Sequence, residues 1–272
     1  MKKFTKVLAL ILSAVLVAAC FAACSKATED DKQVNATQSD FDYIKEKGKL
    51  VVGITEFEPM DYKDANGEWI GFDADMARAF AESLGVKVEF VEIDWDNKVM
   101  ELDGKTIDCV WNGMTLVDEV KEKMECSNPY CNNAQVVVVN KEVADKYQTV
   151  ESLSGLKFAV EAGSAGEDEV QALELENTPV KAQSDALLEV KSGTSDAAVI
   201  DLLMAGAMIG EGTGYADLTY TVSLNSEEYG VGFRKGSDLA EALNQFFADS
   251  YKDGSMMKCA KKYGVQESII EQ

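Results

Sequence analysis

The chain contains no histidine and only two arginines, Arg78 and Arg234, so its reactive side chains are 48 carboxylates, its lysines and six cysteines. Without imidazole there is no Ser-His-Asp or Cys-His relay, and the common histidine-based metal sites are also missing. Of the cysteines beyond the leader, Cys109, Cys126, Cys131 and Cys259, the pair Cys126 and Cys131 is too widely spaced for a zinc knuckle, and no second pair follows. Neither a metal nor a cofactor is expected. Four cysteines in an exported chain admit three disulfide connectivities, and bridges and buried thiols both remain open. No pair of carboxyls in visibly different environments marks a general acid and its base, so binding rather than catalysis is expected. One segment suits binding: the amides of Ser164, Ala165 and Gly166 begin a helix, an end that attracts anions. Glu167, Asp168 and Glu169 in the same first turn offset that attraction.

The elements that must position such groups alternate between short β-rich runs and helical patterns, which implies an α/β protein with parallel sheets covered by helices. Strands are expected at 50–54, 86–93, 107–111 and 135–139. Asp73 is expected to cap a helix whose apolar positions Met76, Ala77, Phe80, Ala81 and Leu84 recur at the 3.6-residue period before Gly85 stops it. A second cycle places strands at 157–160, 197–200 and 229–233. It places helices at 167–175, 184–192 and 202–209, and a long amphipathic helix from Asp238 through Tyr251.

Residues 1–24 carry Lys2 and Lys3, an apolar run over 7–17, and two small-small-Cys endings at Cys20 and Cys24. The run is short of the roughly 20 residues a membrane span needs, and no basic stop follows it. This segment reads as a signal peptide that resembles the bacterial lipoprotein cleavage site. Val17-Ala18-Ala19-Cys20 fits slightly better than Phe21-Ala22-Ala23-Cys24. Residues 25–40 are polar and read as a flexible tether. Formal charge is −22, and loss of Lys2, Lys3 and Lys6 with the leader takes it three lower, to about −25. Nucleic acid is excluded as a partner, because binding it depends on Lys and Arg neutralising phosphates. The expected picture is a monomer, lipid-anchored on the outer face of the cell membrane.

Several blocks carry a family resemblance. They are Gly71-Phe72-Asp73-Ala74-Asp75-Met76; Ile107-Asp108-Cys109-Val110-Trp111-Asn112-Gly113-Met114-Thr115; Ser127-Asn128-Pro129-Tyr130; Ser195-Asp196-Ala197-Ala198-Val199-Ile200-Asp201; and Tyr229-Gly230-Val231-Gly232-Phe233-Arg234. In order and spacing the chain resembles the bacterial extracellular solute-binding proteins of polar amino acid ABC importers, family 3, with the two-lobed type II periplasmic-binding-protein-like fold. The resemblance implies two lobes, each a mixed, mostly parallel sheet flanked by helices, joined by two hinge crossings. Lobe I is expected over 41–140 and 226–272 and lobe II over 141–225, with the ligand between them. It implies a ligand clamp at Phe57 and Trp95. Phe57 is read as pocket rather than core, and Asp94 and Asp96 argue against deep burial of Trp95. Gly113 and Thr115 would receive the ligand's ammonium, and Asp201 would pair with it; an Asp at that position also suits a cap on the next helix, and the two roles can coexist.

Two departures from the family pattern bear on the ligand. Val120 stands where the family has an arginine that grips the ligand carboxylate through two parallel hydrogen bonds, and valine cannot do this. Glu161 stands where relatives have a non-acidic residue. The substitutions suggest an amino compound with a masked or missing carboxylate, or one with a second positive charge that Glu161 meets. The expected role is therefore a non-enzymatic, lipid-anchored receptor that delivers such a solute to an ABC permease. A ligand sensor without transport and a dehydratase-like enzyme on the same fold are the alternatives.

Overall fold

The alternating pattern closes into two separate sheets in the computed structural model, which describes residues 39–272. The leader, both candidate lipidation cysteines and nearly all of the tether lie outside the described residues. Helix α1 (Asp40–Lys47) is capped by Ser39, whose hydroxyl accepts the Asp42 N–H at 3.0 Å, and it runs into β1 (Lys49–Ile54). A small hairpin, β2 (Tyr62–Lys63) and β3 (Trp69–Ile70), precedes α2 (Phe72–Ser83), and β4 (Lys87–Glu92) returns parallel to β1. After a 3-10 turn at Trp95–Asn97 and α3 (Lys98–Asp103), β5 (Cys109–Thr115) pairs parallel with the other side of β1. Helix α4 (Asp118–Lys123) and the short strands β6 (Met124–Cys126) and β7 (Cys131–Asn133) follow.

The chain then crosses to the second sheet. It comprises β8 (Gln135–Asn140), β9 (Lys157–Glu161), α5 (Ala165–Ala172), β10 (Glu176–Val180), α6 (Gln183–Ser192), β11 (Ala197–Asp201), α7 (Leu202–Met208) and β12 (Leu218–Ser223). Its strand order is β10-β9-β11-β8-β12, with β8 antiparallel to both neighbours. Because β8 is interior to the sheet and covered on both faces, Val136 to Val139 are an unbroken buried run. The chain crosses back into β13 (Glu227–Arg234), antiparallel to β5, β6 and β7, and ends with α8 (Leu239–Asp253) and α9 (Ser255–Tyr263), which pack on α2. The first sheet is therefore ordered β4-β1-β5-β13-β6, with β7 also on β13.

Three expectations need correction. The first crossing lies at Ala134 rather than after Val139, because the apolar run 135–139 pairs wholly within the second sheet. Asp73 is not a cap: α2 starts at Phe72, and the Asp73 side chain turns inward to accept the Gly113 N–H at 2.7 Å and the Tyr130 hydroxyl at 2.7 and 2.8 Å. The helix expected at 167–175 begins at Ala165, one half-turn before Glu167, because Ser164 caps it by accepting the Glu167 N–H.

Both arginines are committed to the scaffold. Arg234 ties α1 to the first sheet, with Nε at 3.0 Å from Asp40 and Nη1 donating to the Ile107 carbonyl at 2.9 Å; Arg78 pairs with Asp75 at 3.0 Å. All four cysteines of the folded region are free thiols. Burial pushes the Cys259 thiol up to about 12 and raises the other three as well, so none has thiolate character.

Candidate functional site

The C-terminal end of β5 and the helices beside it face the C-terminal ends of β9 and β11 across a cavity of about 300 Å³. A cleft at the carboxyl ends of strands is where open α/β sheets bind ligands. The first sheet contributes Trp95, Lys98, Gly113, Thr115, Glu119 and Val120; the second contributes Gln135, Glu161, Ser164, Glu167, Gln183 and Asp201. Trp95, Gly113, Thr115, Val120, Glu161, Ser164 and Asp201, each anticipated from sequence, thus line one cavity. Trp95 does so while being 7% exposed, so its flanking acids do not keep it from burial as expected: its ring packs within its own wall, and Asp96 lines the cavity beside it.

Phe57 and Gly166 do not line it. Phe57 is core: its ring meets Tyr229 edge-on at 6.2 Å and packs behind Gly113. Gly166 faces the sheet beneath α5, where a Cβ would come within 2.9 Å of Gln135 Oε1 and 3.2 Å of Val199. Gly113 sits at φ +56°, and an added Cβ would lie 2.5 Å from Phe57 Cε1 and 3.1 Å from Tyr229 Cε2. Gly113→Ala is therefore expected to destabilise the fold by about 2–4 kcal/mol, combining overpacking with the cost of a positive φ. A urea midpoint unchanged from wild type would contradict this.

Asp201 is the hub of the buried polar network. Its Oδ1 accepts the Tyr229 hydroxyl at 2.7 Å, Gln135 Nε2 at 2.9 Å and Asn133 Nδ2; its Oδ2 accepts Gln183 Nε2. Its side chain makes no capping bond to α7, so the helix-cap alternative does not apply. Glu227 is a second hub, accepting Thr115 Oγ1 at 3.0 Å, Asn133 Nδ2 at 2.7 Å, Gln135 Nε2 at 2.8 Å and Asn225 Nδ2 at 3.0 Å. The two acids therefore share the amides of Asn133 and Gln135, the residues flanking the first crossing, while Asn225 lies in the second. Thr115 spends its hydroxyl proton on Glu227 and keeps its lone pairs for an incoming donor.

Burial pushes the Asp201 carboxyl up to about 8, with the Glu227 charge adding and the Gln183 and Tyr229 bonds opposing. Glu161, 3% exposed at the end of β9, is likewise raised to about 8 by burial and by Asp201, against hydrogen bonding with Thr55 and Gln183 and the charge of Lys98. Its Oε1 is buried with no hydrogen-bond partner. Both carboxyls face one cavity, and their burial favours the protonated, uncharged forms.

Opposite them Lys98 reaches across the cleft, its Nζ 5.0 Å over the Trp95 ring and donating to the Trp95 carbonyl at 3.2 Å and the Gly163 carbonyl at 2.9 Å. Burial lowers its pKa, while Glu161, Asp96, Asp168 and Glu119 act to raise it. A second cross-cleft tie, Lys181 to Glu92 at 3.2 Å, is exposed and adds little. Asn133, Gln135, Gln183, Glu227, Tyr229 and Lys98 were not singled out from the sequence. A polar residue opening a buried apolar strand, as Gln135 does, was the available signal.

Two α/β lobes, two crossings, and a polar cavity between them define the class of two-lobed solute-binding proteins. The chain belongs to the bacterial extracellular solute-binding proteins, family 3, whose model matches residues 50–266. Among curated relatives, the L-cystine-binding protein TcyJ of Escherichia coli is 30% identical over 229 residues, covering 81% of this chain and 84% of the relative. Among solved structures, a mutant of ArgBP from T. maritima superimposes with a TM-score of 0.78 at 34% identity, covering 83% of this chain and 99% of that one. An ABC uptake transporter substrate-binding protein from Streptococcus pneumoniae with bound histidine has a TM-score of 0.77 at 29% identity, covering 86% of this chain and 99% of the other. The role of the chain is accordingly substrate binding.

Proposed function

We propose that this chain is the binding component of an ABC importer, closing on a small amino compound in the cleft and handing it to a permease. In this reading the ligand's ammonium lies between Glu161 and Asp201, with Thr115 Oγ1 as a further acceptor and Trp95 as an apolar wall. The observation that carries it is the partnerless Oε1 of Glu161, facing a two-walled cavity beside Asp201. No enzymatic step is proposed: the chain has no histidine, and the two cavity carboxyls are raised alike rather than split into an acid and a base.

Names of relatives that bind cystine, arginine or histidine support an amino compound as the solute class. Anchoring through the Cys20 or Cys24 lipid is part of the proposal and rests on the leader alone.

The test is a thermal-shift panel of the full chain against amino acids, amino acid amides and simple amines. A true ligand at about 1,000 times its dissociation constant stabilises the folded state by roughly 4 kcal/mol. No shift with any member of the panel would overturn the proposal. Fatty-acid labelling that persists in the Cys20→Ala, Cys24→Ala double variant would overturn the anchor.

A further inference from the structure

We propose that the cleft accepts a small aliphatic amine cation lacking a free carboxylate, such as an alkyl amine or an amino acid amide, and that Val120 and Glu167 together exclude the free amino acids. The inference rests on the solute-binding reading above and specifies its ligand.

Four observations converge on it. First, Val120, 7% exposed, forms an apolar patch on the cavity wall with Val117 and Val99, beside the paired Glu119 and Lys123. A carboxylate placed there would lose its hydration and gain no donor. Second, the turn that leads into α5 already holds an internal carboxylate. Glu167 folds back so that its Oε2 accepts the Gly163 N–H at 2.7 Å, and Ser164 Oγ accepts the Glu167 N–H at 3.1 Å. A ligand carboxylate arriving at this turn meets the charges of Glu167 and Asp168.

Third, the cationic side chains lining the cavity are engaged. Lys123 pairs with Glu119 at 2.5 Å, and Lys98 donates to the carbonyls of Trp95 and Gly163. Both arginines are bonded within the scaffold, on Asp75 and Asp40. Fourth, the demand for positive charge is unmet, because Glu161 is buried with a partnerless oxygen and shares the amide of Gln183 with Asp201. An ammonium satisfies that demand, whereas the carboxylate of a zwitterion finds the Val120 patch on one side and the acidic turn of Glu167 and Asp168 on the other. Specificity arises here from what the site repels as much as from what it attracts.

The experiment uses the full chain and calorimetric titration with matched series that share a carbon skeleton: leucine, leucinamide and isopentylamine; lysine, lysinamide and 1,5-diaminopentane. The expected result is that in at least one series the amide or amine binds tenfold or more tightly than the free acid. A free amino acid that binds as tightly as its own amide overturns the inference while leaving the solute-binding reading intact. Silence from all six compounds overturns the inference and separates from it the broader reading, which the wider thermal-shift panel then decides.

Glu167→Gln, a near-isosteric change, and Glu167→Gln combined with Val120→Arg assign the two residues. The single variant is expected to narrow the amide-over-acid ratio about threefold and the double variant at least tenfold. An unchanged ratio in the folded single variant removes Glu167 from the argument even if arginine at 120 fails to fold.

Discussion

Replacing Glu161 by glutamine is expected to make the empty protein more stable and to weaken ligand binding about a hundredfold, the equivalent of a buried ion contact of roughly 3 kcal/mol. The two effects share one cause. Glu161 is withdrawn from water, has an oxygen without a partner and lies beside the acid Asp201, so its carboxyl is raised to about 8. Below its unfolded-state value of about 4.3 the group is protonated in both states and penalises neither. Between that value and about 8 the unfolded chain releases the proton while the folded chain retains it, so stability declines as pH rises through the window. Glutamine removes that decline, because it carries no ionisable proton. The gain should be small at pH 5 and reach about 1–3 kcal/mol at pH 8. Denaturant midpoints at the two pH values measure it directly. A glutamine variant that is less stable than wild type at pH 8 would show that burial of Glu161 is not costly, and the main argument for a cation site would go with it.

Binding itself is expected to strengthen as pH rises from 6 to 8. In the empty cavity Asp201 and Glu161 each hold a proton up to about 8, Asp201 through burial and the neighbouring Glu227, Glu161 through burial and Asp201. The ammonium of a simple alkyl amine such as isopentylamine, with an ordinary value near 10, is charged throughout this range, whereas the α-ammonium of an amide titrates near 8, so the alkyl amine is the probe. Its arrival favours the ionised carboxyls, so protons leave as it enters. The association constant should therefore rise about tenfold per pH unit for each carboxyl that ionises, levelling off above about 8. Titration calorimetry in buffers of different ionisation enthalpy would register the release of one to two protons per ligand near pH 6.5, a count that follows from the same linkage. Because the two groups are neighbours, the released protons belong to the pair rather than to either residue. A flat affinity over this range, with no buffer dependence, would mean that the ligand does not draw charge onto these carboxyls.

Two of the three buried acids at the site are compensated by hydrogen bonds. Asp201 is surrounded by donors from Asn133, Gln135, Gln183 and Tyr229, and Glu227 by donors from Thr115, Asn133, Gln135 and Asn225. Each is satisfied by amides and hydroxyls in a network that spans both crossings. Glu161 lacks such an arrangement at Oε1, and in the proposed site it is the group left for the ligand. A network that joins the hinge to the binding carboxylate gives the ligand's charge a direct physical route to the relative placement of the lobes.

The alternation of strands and helices, the family, the acidity and most of one cavity wall were legible in the order of residues. Those properties are local: apolar periodicity sets an element's type, and a short motif such as Asn112-Gly113-Met114-Thr115 carries its own backbone geometry. The order of residues also determined the absence of arginine at 120, since an absent guanidinium is absent in any fold. Tertiary structure alone decided the remainder. Phe57 looked like a loop aromatic facing ligand, yet it lies behind Gly113 because the β5 backbone and Tyr229 leave it that space. Asp73 had the sequence position of a cap and became instead the acceptor for Gly113 and Tyr130. Glu161 could have been a solvated strand-end acid, and only the approach of the two lobes withdrew it from water. The partners of Asp201 come from residues 18, 28, 66 and 68 positions away in the chain, a separation that no local pattern encodes. Burial and long-range hydrogen bonding depend on which distant segments meet, and that meeting converts a string of carboxylates into a site that selects for charge.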